Sequence, residues 1–297
     1  MERSDYPWLY RAADSASAKA KNAHFLGLKA QLTILFIVGV LAAVPTWWHL
    51  ELGSLKGLAV TSAVALAASL VIVGAARERK FDRRWFDARA VAESAKTLSW
   101  RYMMQAGPSF AIENSVAEQT FIGELQALSA TREVAVAELG GVEEDRTQIS
   151  KFMLDARKRP FDERKAYYLA FRVAEERDWY HNQASLNRTS SSRWYWAGTV
   201  IQLVALTMAV VRAADFLTFS IAGPLMTLAA SVSAWTQARR HDELGTSYSV
   251  AANELTNLEQ KVELCTTDTE LVALVKDVEE AISREHTMWR VRRNVAP

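Results

Sequence analysis

The chain has 297 residues, half of them hydrophobic and 23% charged, and its 35 Lys and Arg nearly cancel its 34 Asp and Glu to leave a net charge of +1. With no strongly basic half, that balance gives no footing for a nucleic-acid partner. The single cysteine, Cys265, excludes a disulfide within the chain and fits a reducing compartment. The mean hydropathy of −0.05 would suit a soluble protein, but it averages charged segments with long uncharged apolar runs.

Residues 1–29 mix both signs of charge and include Trp8, Tyr10, Lys19, Lys21 and Lys29. They read as a short cytosolic arm entering a helix. Between Lys29 and Glu51 there is no Asp, Glu, Lys or Arg, which marks a first membrane span at about 28–49. It starts too far along the chain for a cleavable signal peptide and is expected to act as an uncleaved insertion signal. Trp47 and Trp48 stand near its far end, where indole rings favour the headgroup zone. After a tight connection comes Gly57–Ala76, with neither charge nor proline and a helical length of about 30 Å, the thickness of a bilayer's apolar core. It stops at Arg77-Glu78-Arg79-Lys80, with Arg83 and Arg84 close behind.

The middle of the chain reads as charged helices. Phe81 to Met104 forms one run, broken by Gly107-Pro108. Residues 112–139 form another, ending at Gly140-Gly141; Glu143 to Lys158 is shorter; and Phe161 to about Ser190 runs on into a third span. The third and fourth spans are placed at about 194–211 and 216–237, joined by a turn at 212–215, with Pro224 expected to bend the fourth. Leu255, Leu258, Val262 and Cys265 then make a helical seam. Leu271, Val275, Val278, Ile282 and Trp289 make a second one, after a cap at Thr267 or Asp268. No alternating pattern supports a sheet. The fold expected is an all-α membrane protein with two transmembrane helical hairpins and long cytosolic helices. It divides into residues 1–110, a connecting region 111–160, and residues 161–297.

Lys and Arg crowd the helix ends shared by both termini: Lys19, Lys21, Lys29, Arg77, Arg79, Lys80, Arg83, Arg84, Arg89, Arg188, Arg193, Arg239 and Arg240. The two hairpin turns carry only Lys56 and Arg212. This bias places the termini and the middle region in the cytosol and the spans in the inner membrane. The spans are also rich in small residues. Thr61, Ala65 and Ser69 share one face of the second, and Ser220, Gly223, Thr227 and Ser231 one face of the fourth. Such faces either let helices pack closely, the commoner use, or line a water path among protomers.

Catalytic patterns are missing. The five histidines make no metal-ligand spacing, and there is no HExxH, CxxC or nucleophile elbow. Beyond Lys29 at the mouth of the first, the spans hold no Asp, Glu, Lys or Arg, which weighs against a coupled transporter but not against a pore. No enzyme activity, cofactor or metal is expected.

The same plan recurs in both halves: a lead-in helix, a membrane hairpin, a basic stop and a long charged helix. Arg89-Ala-Val-Ala-Glu93, then Lys96-Thr-Leu-Ser-Trp-Arg-Tyr-Met103 with Pro108 and Phe110, resembles the segment after the membrane hairpin in the SLATT superfamily of SMODS and SLOG-associating two-transmembrane effector domains. Arg164-Lys-Ala-Tyr-Tyr168, Arg172, Tyr180 and Asn187 resemble that family's lead-in helix, and Glu279 through His286 with Trp289 resembles its closing helix. The tandem is similar to bacterial proteins with a DUF4231-type domain. The resemblance singles out Arg89, Glu93, Trp100, Arg101, Tyr102, Arg172, Tyr180, Glu285 and Trp289. Of these, Trp100 and Tyr102 are expected to pack between helices rather than hold a ligand, and the charged ones to pair across a bundle. The family implies an anti-phage or conflict effector that assembles as a homo-oligomer and perforates or depolarises the membrane, triggered by a cytosolic sensor or nucleotide-messenger partner. The alternative is a membrane-anchored scaffold that recruits a partner without conducting.

Overall fold

A computed structural model describes residues 1–47, 52–107, 109–111, 113–130, 146–217 and 219–294, with the side chains of 45–47, 52, 77 and 284–294 left out of the description. These residues are helical and connecting segments, with no strand among them. In chain order the helices are α1 (Trp8–Trp47), α2 (Leu52–Arg79), α3 (Phe81–Met103), α4 (Asn114–Ala130), α5 (Lys151–Lys158) and α6 (Phe161–Tyr168). A π-helical segment, Leu169–Ala174, leads into α7 (Glu175–Ala213), followed by α8 (Ala222–Arg239), α9 (His241–Leu264) and α10 (Asp268–Asn294). Gly140, Gly141, residues 131–139 of the helix expected over 112–139 and residues 143–145 of the one expected over 143–158 lie outside the described residues; residues 146–150 are not helical, because Ser150 caps α5 and starts it at Lys151.

Two units emerge. The polar unit takes Met1–Lys21, Asp82–Ser185 and Gly245–Pro297, and the apolar unit takes Asn22–Phe81 and Leu186–Leu244. α1 is already helical at Trp8, so the expected arm is a short one, and Tyr6, Leu9 and Ala13 are buried in the polar unit's core. The first amides of α1 find acceptors across the chain: Trp8 N–H donates to the Thr147 carbonyl at 3.0 Å and Leu9 N–H to the Gln148 side chain at 3.3 Å. Donors left over by a helix start are thereby satisfied from a distant segment. The rest of that core gathers Trp100, Tyr102, Phe110, Phe121, Met153, Tyr168 and Tyr180 with the seams of α9 and α10. α10 opens on a capping box, in which Thr267 accepts from Glu270 N–H at 3.3 Å and the Glu270 carboxylate accepts from the Thr266 and Thr267 amides.

In the apolar unit α2 touches its neighbours along one narrow stripe. Leu55, Leu58, Ser62, Ala65, Ser69, Ile72 and Ala76 are half-buried or buried, at alternating steps of three and four, and the residues between them are exposed. α7 behaves alike: Asn187, Gly198 and Ala205 are buried while Tyr195, Trp196, Leu203 and Leu206 are exposed. Among the described residues three helical stretches, lying within Trp8–Val44, Gly53–Met103 and Phe161–Ala213, are long and apolar enough to cross a bilayer. Only 6%, 6% and 11% of their most apolar windows is buried, so these surfaces face an apolar surrounding or another chain.

The fourth helix differs from expectation. α8 begins at Ala222 rather than at Phe216, and it is not among the three stretches that meet the length and hydropathy of a span. Pro224 therefore lies in its first turn, where a missing amide costs no helical hydrogen bond, and it does not bend the helix. Ser220 precedes the helix, so it shares no face with Gly223, Thr227 and Ser231.

Each hairpin ends the same way. Lys80 (φ 45°) separates α2 from α3, and Arg240 (φ 50°) separates α8 from α9. A left-handed backbone at a residue with a side chain costs about 1–2 kcal/mol. That both halves bend with one basic residue in this conformation shows the duplication in the backbone itself.

Close packing inside the apolar unit centres on Gly39 of α1. A Cβ there would lie 2.8 Å from Oγ1 and 3.0 Å from Cβ of Thr227 on α8, whereas a Cβ at Gly27 would meet nothing within 4 Å. Gly39→Ala is accordingly expected to destabilise by about 1–3 kcal/mol through overpacking. Gly27→Ala should stabilise by up to about 1 kcal/mol through helix propensity. Thermal unfolding of the detergent-solubilised protein, followed by circular dichroism, checks both; equal shifts would refute the close approach.

Candidate functional site

The polar unit buries a set of charges where the helix geometry changes. In the π-helical segment the backbone takes wider turns than in the α-helices on either side, and such segments recur at functional sites. Here it places Arg172 with a fully buried side chain. Its guanidinium meets Glu279 of α10 in a two-pronged contact, Nε to Oε1 at 2.8 Å and Nη2 to Oε2 at 2.6 Å. The third prong, Nη1, donates to Glu176 at 2.7 Å. Glu279 also accepts from Tyr168 OH at 3.1 Å and from Thr97 Oγ1 at 2.8 Å, and Lys96 of α3 bonds Glu176. Lys96, Glu176, Arg172 and Glu279 thus form one alternating chain of charges joining α3, the π segment, α7 and α10.

The electrostatics follow from burial and pairing. Burial alone would weaken proton binding at Arg172, but Glu279 and then Glu176 outweigh it and hold the guanidinium well above its ordinary value. Lys96 is likewise raised, because Glu176 overcomes burial. Tyr168 is pushed well up, by burial first and by Glu279 second. At neutral pH the arrangement is a saturated ion network with a neutral tyrosine. It presents no nucleophile with a neighbouring base, and among the described residues no group of three or more His, Cys, Asp or Glu could hold a metal ion.

Further ties bind α6 and α7 to α9 and to the turn between α9 and α10. Arg164 pairs with Asp268, Arg177 with Glu259, and Lys165 Nζ donates to the carbonyls of Glu263 and Cys265 at 2.7 and 2.8 Å. A second buried arginine, Arg157 of α5, donates to the Tyr102 and Phe110 carbonyls at 2.7 and 2.9 Å and to Asn114 at 2.8 Å. It closes the segment between α3 and α4 around the Tyr102 ring, 4.9 Å away.

The residues singled out by sequence fall into separate places. Arg172 stands at the centre of the network. Trp100 is fully buried, donating its indole N–H to Tyr6 OH at 3.0 Å beside the Tyr168 ring. Tyr102 is buried against Phe110 and Phe121, and Tyr180 against Trp179 and Tyr248. Arg89 and Glu93 make a helical pair at 3.8 Å, and Arg101 reaches Gly107, where a Cβ would lie 2.7 Å from its Nη2. Glu285 and Trp289 belong to α10, and their side chains lie outside the described residues. In the apolar unit Ser69 is buried and Ala65 half-buried, while Thr61 and Gly223 are exposed. The hydroxyls of Thr61, Thr227 and Ser231 donate to carbonyls four residues back, at 2.9, 3.1 and 3.0 Å.

Sequence reasoning named Lys96 and Glu279 only within the segments that carry the resemblance, and it did not reach Glu176 or Arg157. The available signal was a carboxylate, Glu279, directly beside the apolar positions Val275, Val278 and Ile282. A charge bordering a buried stripe needs a partner, and that partner lies 107 residues away.

Comparison with known families gives two matches. The model for SMODS and SLOG-associating 2TM effector domain 3 matches residues 7–165, and that for domain 1 of the same series matches residues 168–289. No curated protein and no solved structure matches the chain.

Removing one partner of the central pair leaves a buried charge uncompensated. Glu279→Ala is expected to destabilise by about 3–5 kcal/mol. The double variant Arg172→Met, Glu279→Leu should lose less than Glu279→Ala, because no orphan guanidinium remains. Chemical unfolding of the solubilised variants decides; a double variant at least as unstable as the single would refute the network as the organising contact.

Proposed function

Because the chain belongs to the SLATT effector family, carrying two such domains in tandem, we propose that it is an inner-membrane effector of a bacterial conflict or anti-phage system, whose copies assemble and breach or depolarise the membrane when a sensor partner or nucleotide messenger acts on the polar unit. The observation that carries this reading is the exposure of α2 and α7. Each engages its own chain by one narrow stripe and leaves a broad apolar surface for lipid or for another copy. Val60, Val64 and Val71 on α2 are each more than 60% exposed.

In this reading α8 is the fourth span. At 18 residues it is about 27 Å long, a little short of the apolar core, a mismatch that local thinning of the bilayer absorbs. The Lys and Arg bias supports cytosolic termini and a cytosolic polar unit. No catalytic step is assigned.

One observation favours a second reading, a membrane tether for a cytosolic partner. The hydroxyls of Thr61, Thr227 and Ser231, which a water path would use, are bonded back to their own helices. Two measurements separate the readings. Cells expressing the wild-type chain are expected to depolarise, by voltage-sensitive dye against a vector control. Ala67→Trp, which adds bulk on the exposed side of α2, should abolish this without changing expression or helix content. Replacing both hairpins with poly-leucine helices should also abolish it. Depolarisation that survives the poly-leucine replacement, or cells whose potential never changes with intact spans while the polar unit still captures its partner, would leave the tether.

A further inference from the structure

At one end of the apolar unit two helices interlock through pairs spaced one turn apart. α1 supplies Phe25 and Lys29, and α8 supplies Trp235 and Arg239. The Phe25 and Trp235 rings meet edge to face, 5.8 Å between centroids, and Trp194 of α7 adds a second edge at 6.4 Å. Each ring then carries a cation. Arg239 lies 4.7 Å over Phe25 and 5.5 Å from the Trp235 centroid, and Lys29 Nζ lies 5.4 Å over Trp235. Both positive groups therefore lie within about 11 Å of each other, held by rings that are themselves locked between helices.

No carboxylate among the described residues pairs with either cation, and Nε of Arg239 is buried without a hydrogen-bond partner. The next residue shows the contrast: Arg240 is occupied by Glu243 at 2.9 Å. Two like charges gathered on one aromatic cluster repel unless an anion joins them. The surroundings decide which anion. Lys29 is the last charge before the apolar run of α1, and it stands on that helix's exposed stripe, which continues through Thr33 and Ile37. A group bound at Lys29 would have an apolar chain's length of open helix beneath it.

We propose that Lys29 and Arg239, set on the Phe25–Trp235 platform, form a binding site for the phosphate of an anionic phospholipid, with its acyl chains along the exposed stripe of α1. Trp194 and Trp235 supply the amphipathic rings that favour this depth, and paired basic groups between spans suit such headgroups. The site does not depend on whether the protein conducts.

Native mass spectrometry of the full-length protein in mild detergent tests it, with phosphatidylglycerol, phosphatidylcholine or inorganic phosphate added. Wild type should retain phosphatidylglycerol at least about tenfold more tightly than phosphatidylcholine. That preference should fall to about twofold or less in Lys29→Gln, Arg239→Gln, and survive in Arg188→Gln, Arg193→Gln, which removes two other charges from the same unit. Lys29→Gln alone changes an exposed side chain and should lose part of the preference with helix content unchanged. A preference equal in all variants, or one lost in the Arg188 and Arg193 control, would overturn the site. Displacement of the lipid by millimolar inorganic phosphate would show a free-phosphate site and overturn the lipid assignment.

Discussion

The fold of the polar unit depends on the cost of taking an arginine out of water. Arg172 has no exposed side-chain surface, and burying a guanidinium is tolerable only when its donors meet acceptors of opposite charge. Glu279 satisfies two of them and Glu176 a third, while Tyr168 and Thr97 fill the remaining acceptor sites on Glu279. Such a pair adds little to stability compared with an apolar substitute, but it tolerates one geometry only. The seams of α9 and α10 are generic leucine and valine stripes that could slide by a turn. The forked contact does not slide, so it sets their register against α3 and the π segment.

The apolar unit obeys the opposite constraint. In lipid, apolar side chains gain nothing by facing one another, so association rests on close approach and on satisfied polar groups. Gly39 against Thr227 is such an approach, and the hydroxyls of Thr61, Thr227 and Ser231 are each spent on their own helix. One chain thus carries two packing rules. The change between them falls inside continuous helices, since α1, α7 and α9 each begin in one unit and end in the other.

Much of this was legible in the sequence. Uncharged runs of bilayer length mark the spans because nothing else in a charged chain has a reason to exclude Asp, Glu, Lys and Arg for so long. The 3-4 seams of α9 and α10 were equally plain. The early start of α1 was hidden because its buried residues Leu9 and Ala13, with Tyr6 just before it, answer a core assembled from Trp100, Tyr168 and Gln148, far along the chain. The fourth helix was placed too early because uncharged residues from Phe216 to Ile221 look like helix, while Pro224 was read as a kink instead of a first-turn residue. Spacing alone identifies who shares a face, but Ser69 turns inward and Thr61 outward, and only the neighbours decide that. The ion network stayed hidden because Lys96, the Arg172–Glu176 pair and Glu279 are far apart in sequence and individually look like surface charges.

The π-helical segment gives α7 something that an unbroken α-helix lacks. A wide turn carries a residue beyond what an α-helix needs. Absorbing it would turn every later residue of α7 by about 100° about the axis and move it by about 1.5 Å. Arg172 lies inside that turn, clamped to Glu279 on another helix. Its grip is therefore also a detent. While the carboxylate holds the guanidinium, the surplus residue stays where it is, and with Arg177 bonded to Glu259 the start of α7 keeps one rotational phase.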